Sequence, residues 1–175
     1  GNSLVGSHPN DNIGRFYSNY GKLLGIRPLP NGNYVVTHRD WDNGNAVDAG
    51  AITWRNGTGG FRLSFPRRTR SLARREDLVG SDLEVFGNSE YLVRSNFWSQ
   101  PDAGAMTYAP GEVAVTGTVN AVNSLVPATQ VSDFDHDSTR GYLVASFPDE
   151  NRIVIVRLDG IFMDGLEGTI TVVSQ

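Results

Sequence analysis

Cysteine does not occur in these 175 residues, which excludes disulfides, thiolate catalysis and Cys-ligated metal sites and leaves the redox compartment open. Long apolar runs are missing as well: no stretch approaches the roughly 20 residues that a membrane-spanning helix needs. Lys and Arg number 15 against 19 Asp and Glu, a formal net charge of −4, which argues against generic nucleic-acid binding. The short catalytic signatures are missing too. There is no HExxH, nucleophile elbow, P-loop or GxGxxG, and His8, His38 and His136 stand at unrelated positions. The N-terminus carries neither an initiator Met nor the basic and apolar regions of a signal peptide. Gly1 reads as the scar of a removed tag, and the chain is expected to be an excised piece of a larger protein.

What is present favours short strands. Glycine (20) and proline (8) are frequent, and no segment holds a helical period over ten or more residues. The chain also repeats itself. "YVVTHRDW" at 34–41 returns as "YLVRSNFW" at 91–98 and as "YLVASFPD" at 142–149, so the anchors Tyr34, Tyr91 and Tyr142 are 57 and 51 residues apart. "DAGAITWRNG" at 48–57 returns as "DAGAMTYAPG" at 102–111, with "RIVIVRLDG" at 152–160 as a degraded third copy. "NSLV" at 2–5 recurs at 123–126, and "RSLA" at 70–73 is its middle copy. Period-two alternation at Ile52/Trp54 and Met106/Tyr108 predicts half-buried strands. The same pattern is read at Phe61/Leu63/Phe65, Val113/Val115 and Ile170/Val172. One all-β domain over 1–175 follows, with units at approximately 2–69, 70–121 and 122–175, each of about four antiparallel strands.

The order of a Gly-containing turn, an apolar strand, an Asp/Asn/Gly-rich loop and then Gly-Ala-apolar-Thr-aromatic resembles FG-GAP-type repeats, the blades of integrin-like β-propellers. "NGNYVV…WDNG…DAGAITW" with "NSLVGS" looks closest to tandem repeats of large bacterial surface proteins of the filamentous-haemagglutinin or adhesin sort. The resemblance implies propeller-like blades. Three units are fewer than the four to eight blades of a closed ring. The chain is therefore expected to belong to a longer array, to complete a ring as a homo-oligomer, or to form an open stack. A β-prism or β-trefoil-like three-fold arrangement is the alternative.

Candidate sites stand beside plainer readings. The loop "DWDNGNAVDAG" offers Asp42, Asn43, Asn45 and Asp48 as hard oxygen donors, but the second unit keeps only "DAG" and the preceding aromatic there, so turn formation is favoured. In "DFDHDSTRG", Asp133, Asp135 and Asp137 alternate as in the first half of a calcium loop, and FG-GAP repeats place a similar loop before the inner strand. They are the metal candidates, with calcium as the cofactor they suit, although Ser138 replaces the turn Gly of such a loop. An exposed solvated loop is the plain alternative. Arg67, Arg68 and Arg70 belong to a basic run suited to polyanions, or to a junction between units. Trp41 and Trp98, at equivalent loop starts, could stack on sugar rings, whereas Trp54 and Tyr108 are expected to pack between sheets. The expected role is a non-enzymatic adhesion or scaffold segment of an exported cell-surface protein, binding a protein or glycan partner. The alternative is a carbohydrate-active hydrolase or a lectin-like propeller.

Overall fold

The computed structural model describes residues 6, 8–15, 25–58, 78–98, 103–114, 119–121, 123–158 and 170–173. These form three antiparallel sheets. The first contains β1 (Ile26–Pro28), β2 (Tyr34–His38) and β3 (Ala51–Arg55), and the second β4 (Asp82–Val85), β5 (Tyr91–Ser95) and β6 (Ala105–Ala109). The third contains β7 (Asp133–Asp137), β8 (Tyr142–Phe147), β9 (Arg152–Arg157) and β10 (Ile170–Val173), in the spatial order β10-β9-β8-β7.

The repeat predicted from the sequence is reproduced in register. Tyr34, Tyr91 and Tyr142 each open the middle strand of a sheet. Val35 faces Trp54 across β2–β3, as Leu92 faces Tyr108 across β5–β6 and Leu143 faces Val156 across β8–β9. Because the side-chain period of a strand is two, one shared register places equivalent residues on equivalent faces.

Four strands in every unit are not what the described residues form. The first two sheets have three strands and the third has four. Val113 lies in a bend and is exposed, not in a strand. Leu125 of the recurring "NSLV" takes the next place on the sheet instead. It exchanges both backbone hydrogen bonds with Met106, at 3.0 and 2.9 Å, while Ser124 Oγ lies 2.6 Å from Thr107 Oγ1. The strand expected at Phe61–Phe65 lies outside the described residues, as does Val115.

Two cores hold the sheets together. Val35 and Leu29, with Ile52 and Trp54 packed against them, meet Leu83, Tyr91, Val93 and Ala109 of the second sheet. The opposite face of that sheet presents Leu92, Met106 and Tyr108 to Leu143, Ala145, Phe147, Val154 and Val156 of the third. The middle sheet is thus covered on both faces, as burial of Tyr91, Leu92 and Val93 in succession requires.

The third sheet is turned over. Were the packing repeated, Tyr142 and Val144 would face the middle sheet, as their equivalents Tyr91 and Val93 face the first. Instead Leu143, Ala145 and Phe147 point inward and Ile153 is half exposed on the far face. The first junction packs unlike faces and the second packs like faces. A closed propeller needs the same packing step at every junction, so a closed propeller is not what the described residues form.

At the first junction the Gly111 carbonyl accepts hydrogen bonds from Trp54 Nε1 (2.9 Å), Asn33 Nδ2 (2.9 Å) and Asn31 Nδ2 (3.1 Å). Gly111 has φ +80°, and a Cβ there would fall on the Ser89 carbonyl. Only glycine lets the two backbones approach this closely.

Candidate functional site

The loops that follow the middle strands emerge at one end of the sheets, and two of them are built on one frame. Trp41 N–H donates to the His38 carbonyl and Trp98 N–H to the Ser95 carbonyl, both at 3.1 Å. Gly50 N–H closes the first loop on the Trp41 carbonyl and Gly104 N–H closes the second on the Trp98 carbonyl, both at 3.0 Å. Gly50 and Gly104 have φ of +74° and +80°, the left-handed turn that glycine makes without strain,. What the two units share is therefore the frame. The contents differ: 39–50 is three residues longer than 96–104. Turn formation, the favoured reading of "DWDNGNAVDAG", is what the geometry displays. Asp42 Oδ1 accepts the Asp48 N–H at 2.9 Å, and Asn43 and Ala46 exchange backbone hydrogen bonds.

An acidic group missed from the sequence organises the first loop. Asp11, 1% exposed, accepts the backbone N–H of His8 (2.8 Å) and of Asp42 (3.1 Å), while Asn12 Nδ2 donates to Asp40 at 3.0 Å. The N-terminal segment is thereby fastened over the loop. His8, Asp11 and Asp42 each bring one ligand-type atom within 4.8 Å of the others, the one such group of three among the described residues. Both Asp11 oxygens are engaged by backbone donors, so the carboxylate acts as a loop anchor. The turn His8-Pro9-Asn10-Asp11, with Pro at its second position, was the available signal.

His38 lies beneath this segment. It is buried with Nε2 2.9 Å from Thr53 Oγ1. Burial first and the Arg55 charge second lower its pKa to about 4, against an opposing pull from Asp11. The folded pKa lies below the unfolded value, so the stabilisation is complete above about pH 6.5 and is lost as pH falls through about 4,. Acidification from pH 7 to 4 is expected to cost up to about 3 kcal/mol through this group. Denaturant melts of wild type and His38→Asn across that range test it: the difference between their stabilities should shrink toward pH 4, and a pH-independent difference would refute the assignment.

The metal candidates do not occupy a loop. Asp133, Asp135 and Asp137 sit on β7, an edge strand, and a turn at 138–141 follows. Among the described residues these three do not form a group that brings its ligand atoms within 4.8 Å of one another. Asp133 and Asp135 each accept the N–H of the next residue, at 2.9 and 2.8 Å. Asp137 caps the turn, accepting from Thr139 N–H, Arg140 N–H and the Arg140 guanidinium, and that last bond leads the lowering of its pKa. The three carboxylates point away from the core, while Phe134 and His136 between them point into it. Their equivalents in the second unit are informative: Asp135 and Asp137 stand where that unit has Leu83 and Val85.

His136, the residue between those carboxylates, is 3% exposed at the second junction, with Nε2 3.2 Å from Glu90 Oε2 and its ring stacked 3.8 Å from Phe86. Tyr108 adjoins it, its pKa pushed up by burial and then by Glu90. This His–Glu–Tyr group lies at the start of β5. A cleft between the second sheet and the segment leading into β7 lies at the other end, where about 250 Å³ is lined by residues including Arg94, Asn96, Phe97, Gly104 and Gln130. Glu90 and Asn96 lie beyond opposite ends of β5, about 20 Å apart, while Tyr108 stands two residues along β6 from Met106, which lines the cleft.

Trp41 and Trp98 are half-buried. Trp54 and Tyr108 pack between sheets, as expected of alternating strand residues. Arg67, Arg68 and Arg70 lie outside the described residues.

The family model that matches is a repeat of unknown function, DUF5650, over residues 1–15, 28–62 and 85–134. Those segments cover more than half of the chain. The chain belongs to the DUF5650 repeat family. The DUF5650 match includes the frame residues Trp41, Gly50, Trp98 and Gly104 and the metal candidate Asp133. No curated protein matches the chain, and no solved structure does.

No helix among the described residues is long and apolar enough to cross a membrane.

Proposed function

We propose that this DUF5650 chain is a non-enzymatic binding scaffold, a segment of an exported cell-surface protein that serves adhesion by presenting loops to a protein or glycan partner. The observation carrying this reading is the pair of loops at 39–50 and 96–104, which share every framing hydrogen bond and differ in what the frame holds. Constant supports with variable loops are how rigid sheets commonly carry recognition. The likeness to FG-GAP blades and bacterial adhesin repeats rests on the sequence motifs of the strand–loop–strand unit alone.

Trp98 provides a direct test. Its frame contacts are made by the backbone, so Trp98→Ala removes the side chain and leaves both framing hydrogen bonds available. The whole chain, applied to a glycan array and to intact cells, is expected to bind saturably. Trp98→Ala should weaken that binding several-fold while leaving the melting temperature within a few degrees. Turnover of aryl glycosides that disappears in Glu90→Gln would overturn the reading in favour of a hydrolase.

A further inference from the structure

We propose that the cleft where β5 and β6 meet the segment leading into β7 binds an acidic saccharide, with Arg94 taking its carboxylate. This names a ligand and site for the scaffold proposed above and rests on that reading. Arg94 occupies the position that Thr37 holds in the first unit, where Thr37 is completely buried. In the second unit the same position opens on space of about 250 Å³, small beside the roughly 300–1,000 Å³ of drug-sized pockets and suited to one sugar ring.

The lining is chemically specific. The Arg94 guanidinium is held over the Phe134 ring, 5.1 Å from its centroid, and reaches the Asp82 carboxylate only at 3.8 Å. That geometry positions a cation without satisfying its fork of donors, which suits a bidentate carboxylate. Phe97, 41% exposed, supplies an aromatic face beside it, and Asn96 and Gln130 supply carboxamides that both donate and accept toward hydroxyls,. A ring bearing one carboxylate and several hydroxyls matches this set. An extended peptide matches less well. It would need free backbone groups on the wall, and those of Met106 are already bonded to Leu125.

The test is a titration of the whole ¹⁵N-labelled chain with a trimer of galacturonic acid and with its carboxyl-reduced counterpart, read from amide chemical shifts. The acid trimer is expected to move the amides of Asn96, Gly104, Ala105 and Gln130 saturably, and the reduced trimer to leave them in place. Arg94→Gln should weaken binding by about 10- to 100-fold, the loss of a charge-assisted pair. Asp82→Asn, which removes the competing carboxylate and no core contact, should strengthen binding several-fold. Equal responses to both trimers, or no response at these amides, would overturn the proposal. Shifts confined to 39–50 would also overturn it while leaving the binding-scaffold reading standing.

Discussion

Phe147→Ala is expected to lower the free energy of unfolding by about 3–5 kcal/mol, the cost of emptying a large buried aromatic site. Against a typical domain stability of about 5–15 kcal/mol, that is roughly a fifth or more of the total. Phe147 is fully buried where the second and third sheets share their core, with the Arg152 guanidinium over its ring at 5.2 Å. The rigid strands on both sides limit collapse into the cavity. Phe134 lies on edge strand β7 and is only partly buried, so Phe134→Ala should cost clearly less. Urea denaturation with an unchanged slope would report the difference in midpoint. A loss below about 1 kcal/mol for Phe147→Ala would show that the two sheets do not share one core. Near-ultraviolet signals from Tyr108, in the same cluster, should collapse in the same transition.

Asp135→Leu with Asp137→Val is expected to make the chain self-associate. The double change gives the third unit the residues that the second carries at Leu83 and Val85, which pack against the first sheet. The outward face of the third sheet already exposes Ile153 to 50%, and Val144 and Ile155 share its register. The carboxylates of β7 therefore act as charges on an edge strand that keep an otherwise stackable face hydrated. Sedimentation velocity at equal concentration should show a larger, concentration-dependent mass for the variant than for wild type. Identical coefficients would show that these aspartates do not guard the face.

Much of the fold was legible. The anchors Tyr34, Tyr91 and Tyr142 locate the middle strands to the residue, and the Ile52/Trp54 and Met106/Tyr108 alternations locate their partners, because strand periodicity and register are local properties of sequence. The loop "DWDNGNAVDAG" was also legible as a turn, since the second unit preserves only the frame. "DFDHD" was misread. Aspartate, histidine and a nearby glycine resemble a loop by composition, yet strict alternation placed Asp on one face and Phe134 and His136 on the other, the pattern of a half-buried strand.

By itself the sequence determined three repeated all-β units, the strands that open at Tyr34, Tyr91 and Tyr142, and the turn character of "DWDNGNAVDAG". Only the tertiary structure decided how the units stack. Tyr142-Leu143-Val144-Ala145-Ser146-Phe147 offers apolar residues on both faces, so the strand does not declare which face is buried. Packing against Leu92, Met106 and Tyr108 selects the Leu143 face and turns the third sheet over, and tertiary structure also brings Gln130 beside Arg94 and Phe97 at one cleft. These residues are distant in the chain, and no local pattern links them.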